Sequence, residues 1–141
     1  MENDTTFTEE EFENYKNILI NQARLATTQN DKTELRRLKI KENNIIQFIQ
    51  QMKEKELSGT LSQDEQKRLE QCEKQYKEYL RIYVSYTMND EQLVRRINVL
   101  LDIDKLPIAG KMLLEVMNDE LNKRMEAERN NTVNNDNGMK R

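Results

Sequence analysis

The sequence contains no histidine and no tryptophan, and only one cysteine, one proline and three glycines among 141 residues. Each scarcity excludes something. Without an imidazole there is no Ser-His or Cys-His nucleophile. With Cys72 as the lone thiol there is neither an internal disulfide nor a thiolate zinc centre. Carboxylate-bridged di-metal sites in helical bundles use Glu-x-x-His, so they fall too. Gly59, Gly110 and Gly138 are isolated, which leaves no glycine-rich phosphate loop. Asp102 and Asp104 could open a calcium loop, but Lys105-Leu106-Pro107 breaks that pattern. The acidic run Glu9-Glu10-Glu11 is what a helix start attracts. The expectation is a chain that is not an enzyme and has no catalytic residue, cofactor or metal.

Long apolar runs are missing as well. None approaches the ~20 residues needed to span a bilayer. The acidic start, MENDTTFTEEEF, lacks the basic-then-apolar pattern of a signal peptide. A single cysteine fits a reducing compartment, so an intracellular, cytoplasmic location is expected. The net charge of −3 argues against general attraction to nucleic acid or anionic lipid.

With so few helix breakers, long uninterrupted helices are the default. Charged and hydrophobic residues each make up 35% of the chain, and its mean hydropathy is −1.00. That apolar supply suits narrow seams between slender helices better than a thick core. Such a core is often completed by a partner or by a second copy of the chain, so a homodimer is a candidate state.

Capping patterns and periodicity divide the chain into five helical segments. Thr8 and Glu11 form a capping box, with Phe7 and Phe12 as its hydrophobic staple. Phe12, Tyr15, Leu19, Ala23 and Ala26 then share one face of a helix expected to end near residue 27. Asp31, with Glu34, is expected to cap a second helix. Its seam carries Leu35, Leu38, Ile45, Ile49 and Met52, interrupted by Glu42 and Glu56, and Gly59 closes it. Ser62 and Glu65 open a third helix bearing Leu69, Cys72, Tyr76, Tyr79, Leu80, Tyr83 and Tyr86. Asn89 and Gln92 open a fourth, with Met88 and Leu93 as staple and Ile97, Leu100 and Leu101 on its apolar face. Lys105-Leu106-Pro107 is expected to end it. A fifth helix to about Ala127 presents Leu114, Met117, Leu121 and Met125.

The fold expected is an all-α, elongated bundle of about five helices around a long antiparallel hairpin. Residues 1–7 read as a flexible start, 8–128 as one helical domain, and 129–141 as a disordered, Asn-rich tail.

Four of the five tyrosines, Tyr76, Tyr79, Tyr83 and Tyr86, lie in the third helix. Tyr76 and Tyr83 read as core. Tyr79 and Tyr86 could extend the seam or serve an interface, where aromatic side chains with polar tips are enriched. The basic stretch Lys32, Arg36, Arg37, Lys39 and Lys41 (within residues 32–41) could meet nucleic acid. A solvated face is the favoured reading, because Asp31, Glu34 and Glu42 stand beside it. Cys72 reads as a small buried hydrophobe, and Met112, Met117 and Met125 as gap-filling residues rather than a binding groove.

The run Leu93-Val94-Arg95-Arg96-Ile97-Asn98-Val99-Leu100-Leu101-Asp102 resembles the last helix of BAG domains. That family comprises three-helix bundles that bind the ATPase domain of Hsp70 and promote nucleotide release. The resemblance covers about a dozen residues and implies that Arg95, Arg96 and Asn98 face a chaperone partner. Asp90 and Glu91 stand where that family has basic residues, and a further helix follows Pro107. Lys105-Leu106-Pro107-Ile108 followed by Leu113-Leu114 is similar to a turn in the helical N-terminal domain of transcription elongation factor S-II, which implies a nucleic-acid-associated adaptor. The primary expectation is a protein–protein interaction module that binds through Arg95, Arg96, Asn98, Tyr79 and Tyr86. The alternative is a coiled-coil-like subunit of a larger complex.

Overall fold

The computed structural model describes residues 5–139, with side chains for residues 5–131. These contain five helices and no strand. The helices are α1 (Glu9–Ala23), α2 (Gln29–Leu57), α3 (Gln63–Thr87), α4 (Asp90–Leu101) and α5 (Ile108–Met139). Helices α2 and α3 are ~43 and ~37 Å long at 1.5 Å per residue. They form the expected antiparallel hairpin, closed at its turn by Lys55–Glu65 (2.6 Å) and, further along, by Lys53–Glu73 (3.4 Å).

Four helices begin with a reciprocal capping box: Thr8 with Glu11, Thr28 with Asp31, Ser62 with Glu65, and Asn89 with Gln92. Each box satisfies two orphan donors that the first helical turn leaves open. Three of the four are those expected. At α2 the cap is Thr28 rather than Asp31, and Asp31 occupies the position reaching back to the Thr28 N–H at 3.1 Å. The earlier start has a cause in α1, which ends at Ala23 and not near residue 27. Leu25 adopts φ 56°, and the Ala26 and Leu25 N–H groups donate to Asn21 and Gln22 at 2.8 and 3.1 Å. This is a Schellman closure, which leaves Ala26 outside the helix. Gly59, at φ 74°, closes α2 in the same way.

Helix α3 is the axis of the molecule. Helices α1, α2 and α5 all pack on it, whereas α4 packs principally on α5. The burial pattern of α3 follows from that position. Besides Leu69, Cys72, Tyr76 and Leu80, it buries Ile82 and Val84, which lie off the expected seam. A helix covered on three sides has no single apolar stripe. On α2 the seam Leu38, Ile45, Ile49 and Met52 is buried as expected, and Glu56, beyond its end, is exposed.

Three further boundaries depart from expectation. Residues 5–7 are pinned rather than flexible: Phe7 is buried, its N–H donates to Gln75 Oε1 at 3.0 Å, and the Thr5 carbonyl accepts from Cys72 Sγ at 3.3 Å. Residues 1–4 lie outside the described residues. Helix α4 stops at Leu101, six residues before Pro107, and Pro107 instead begins α5 by accepting from Lys111 N–H at 2.9 Å. Proline is well suited to a helix start. Helix α5 runs on through residues 129–139, where a disordered tail was expected. No proline follows Pro107, and a helix already nucleated by docking extends at little cost per residue. Residues 140 and 141 lie outside the described residues.

Glu11 ties α1 to α2. Its carboxylate is 8% exposed and accepts two bonds of 2.8 Å from Lys41 Nζ, while Arg37 Nη2 lies 2.8 Å away. Burial opposes its ionisation. The Lys41 ammonium, the Thr8 N–H and the Arg37 guanidinium outweigh that burial and hold the carboxyl below its ordinary 4.5. A depressed folded pKa contributes stability that is full above the unfolded value and lost as pH falls through the folded one. Glu11→Gln should therefore cost about 3 kcal/mol at pH 7, because it strands the Lys41 charge, and should cost progressively less below about pH 4. Urea unfolding at both pH values reads this directly.

Leu25 is 94% exposed, so no packing contact compensates its left-handed backbone. Leu25→Gly should raise stability by up to about 1 kcal/mol, measured as a rise in the thermal midpoint.

Candidate functional site

The tyrosine row divides on folding. Tyr79 is 3% exposed, stacked on Phe7 (ring centroids 4.6 Å, 2° between planes) and on Tyr15 (4.2 Å, 5°). Tyr76 is also buried, and donates to Glu42 Oε2 at 3.1 Å. Burial pushes the Tyr15, Tyr76 and Tyr79 phenols far above their usual range. Tyr79 therefore offers no surface to a partner, contrary to its place among the expected binding residues. The N-terminal segment and α1 cover it. Tyr83, expected in the core, is half-buried, and Tyr86 is 42% exposed at the end of α3.

Below Tyr83 lies a cleft of about 320 Å³ to which every helix contributes: Tyr15 from α1, Glu42 from α2, Tyr76 from α3, Arg96 from α4 and Leu113 from α5. Gly110 also lines it, and a Cβ there would lie 2.8 Å from Leu106 Cδ1, so glycine lets Leu106 fold over the first turn of α5. Glu42, expected to interrupt the α2 seam, sits in this cleft. Burial raises its pKa above 4.5, only partly offset by the Tyr76 hydrogen bond and the charge of Lys39. A raised folded pKa favours the fold below the unfolded value, and that contribution disappears as pH rises through the folded one. Glu42→Gln keeps an acceptor for Tyr76 and removes the buried charge. It should raise the thermal midpoint at pH 7 and give little gain at pH 4, as scanning calorimetry at the two pH values would read.

Helix α4 is packed on one side only. Leu93 and Ile97 are buried, and Leu100 is partly so. Arg95, Arg96 and Asn98 are exposed. Arg95 pairs with Glu91 at 3.2 Å in an open surface position. Arg96 has no ion-pair partner within 4.0 Å among the described residues. Around these polar residues lie Val94, Val99 (54% exposed), Leu101 (62%) and Ile103. Leu101 was expected on the packed face. It stands at the flank because α4 has one covering helix, too narrow a neighbour to reach it. The exposed valines belong to no heptad seam, and the sequence signals them only as apolar residues lying off it.

The other features resolve into structure. Lys41 is buried against Glu11 and Arg37 bridges Glu11 and Glu34, while Lys32, Arg36 and Lys39 form no ion pair within 4.0 Å among the described residues. Cys72 is buried, and desolvation raises its pKa. Met112 and Met117 are core, while Met125 is half-exposed. Arg124 clamps α5 to the start of α4 through Asp90 at 3.0 Å. Among the described residues, no group of three or more His, Cys, Asp or Glu side chains could hold a metal ion, and no helix is long and apolar enough to cross a membrane. No protein-family model, curated protein or solved structure matches the chain.

Proposed function

We propose that the protein is a non-enzymatic interaction module that docks a protein partner through the outward side of α4. One observation carries this reading: α4 commits only Leu93 and Ile97 to the core and leaves Arg95, Arg96 and Asn98 exposed among Val94, Val99 and Leu101. Exposed apolar residues mixed with arginine are the composition of an interface core, and a helix that only fills a bundle has no use for them. Burial of Tyr79 takes away one of the two tyrosines that the alternative, a subunit of a larger complex, would use, and leaves it Tyr86 at the end of α3.

The BAG-like resemblance gives the partner a class: the ATPase domain of Hsp70, met in the cytoplasm. Arg95, Arg96 and Asn98 would favour the open, nucleotide-poor state of that domain and shift its population. The test is a pull-down from cytosol with and without ATP, followed by titration of the isolated ATPase domain. A chaperone bound near stoichiometry and released by ATP is the expected result. Reversing charge at Arg95 and Arg96 together should weaken binding by more than about 30-fold, with helicity by circular dichroism unchanged. Unchanged affinity in that double variant sinks the assignment.

A further inference from the structure

The outward side of α4 carries charges of both signs beside apolar side chains. At ~100° per residue, Arg95 and Asp102 stand opposite the side of Leu93 and Ile97, two turns apart on one line. Asp102 is the C-cap and keeps a right-handed helical backbone, so it extends that line. Val94, Asn98 and Leu101 form the adjacent row, at steps of four and three. All five side chains are exposed. Arg95 meets Glu91 only in an open pair whose side chains are 69% and 81% exposed, a contact that contributes little. Asp102 has no ion-pair partner within 4.0 Å among the described residues. The exposed large apolar side chains of the other helices are scattered: Ile40 and Leu57 on α2, Tyr86 on α3 and Met125 on α5.

We infer that this row is self-complementary, and that α4 pairs antiparallel with α4 of a second copy of the chain. The spacing selects both the occupant and the direction. Val94 lies four residues before Asn98 and Leu101 three after it; Arg95 lies three before and Asp102 four after. A two-fold axis at Asn98 therefore brings Val94 of each copy to Leu101 of the other, and Arg95 of each to Asp102 of the other, to within one residue. That is the isologous pattern of a symmetric dimer. At the axis Asn98 faces its own counterpart, and an amide both donates and accepts. Parallel pairing would set Arg95 against Arg95 and Asp102 against Asp102, which repel. A partner of one sign would satisfy one of the two charges and oppose the other, whereas a second copy satisfies both. The net charge of −3 on each copy opposes association only slightly at physiological salt. The row is ~18 Å long, too short to bury the ~800 Å² per partner of a standard interface. The dimer is accordingly weak, with a dissociation constant of order 100 µM. It stands independently of the interaction-module reading; where that reading holds, partner and second copy compete for α4.

The experiment is sedimentation equilibrium of the full chain from about 10 µM to about 1 mM. A reversible monomer–dimer equilibrium is expected. Arg95→Glu sets two acidic pairs across the axis and Asp102→Arg sets two basic ones, so each should weaken association about 10-fold or more. Both positions are exposed, and helicity by circular dichroism should stay unchanged. An equimolar mixture of the two variants restores unlike charges at both ends and should associate like the original chain. Leu101→Asp should weaken association in the original background. The assay contains no other protein, so its outcome is separate from that of the chaperone pull-down. A chain that stays monomeric throughout overturns the dimer. A dimer that either charge variant leaves as tight as before, or a mixture that associates no better than the variants alone, overturns the antiparallel α4 pairing.

Discussion

The Tyr79 ring, stacked on Phe7 and on Tyr15, is the contact on which the upper half of the bundle depends. A charged chain with little aliphatic surplus has few large side chains to place at a three-way junction. Aromatic rings cover more area per residue than aliphatic ones and stack with directional preference. Here one ring brings together the N-terminal segment, α1 and α3, three pieces that no local hydrogen bond connects. Gln75 and Cys72, one turn and two turns back on α3, then fasten the backbone of residues 5–7 along the same face. The order of this short segment is a consequence of the stack, since nothing in its own composition would hold it.

Two carboxyls, Glu11 buried and Glu42 half-buried, show how the bundle accommodates charge. Glu11 is met by an ammonium, a guanidinium and a backbone N–H, and its pKa is held below the ordinary 4.5. Glu42 is met chiefly by a phenol, with Lys39 further off, and becomes a weaker acid. Desolvation acts on both, and the neighbours decide the direction of each shift. The first is a joint between helices, and truncating either side leaves an uncompensated charge. The second is a polar lining at the edge of an open cleft, where a carboxyl is tolerated because water and a hydroxyl can reach it.

Helix α4 stands apart from both. It leans on α5 through Leu93 and Ile97 and is clamped at its start by the Arg124–Asp90 pair, and among the described residues its far side is uncovered. The fold thus separates its tasks. Helices α1, α2 and α3 provide a stiff axis, α5 carries α4 against that axis, and α4 presents arginines and valines outward. The cleft beside Tyr83 and Arg96 is lined by all five helices, with α4 held there by its packing on α5.

Much of this was legible in the chain itself. The all-α class follows from the scarcity of proline and glycine. Three capping boxes, the Gly59 closure and the seam of α2 are local patterns, fixed by residues three or four apart, and local patterns survive any tertiary arrangement. Arg95, Arg96 and Asn98 are exposed where a one-sided helix would place them. Other features were decided only when helices met. Thr28 displaced Asp31 as a cap because Leu25 took up a left-handed turn that its side chain does not advertise. Tyr79 and Tyr83 lie four residues apart on one helix, yet Phe7 and Tyr15 stack on the first and bury it, while the second stays half-buried at the cleft. Ile82 and Val84 became core because α3 acquired neighbours on three sides. Periodicity encodes which face of a helix is apolar; how many faces are covered, and by what, depends on partners distant in sequence, and that information exists only in the packed structure.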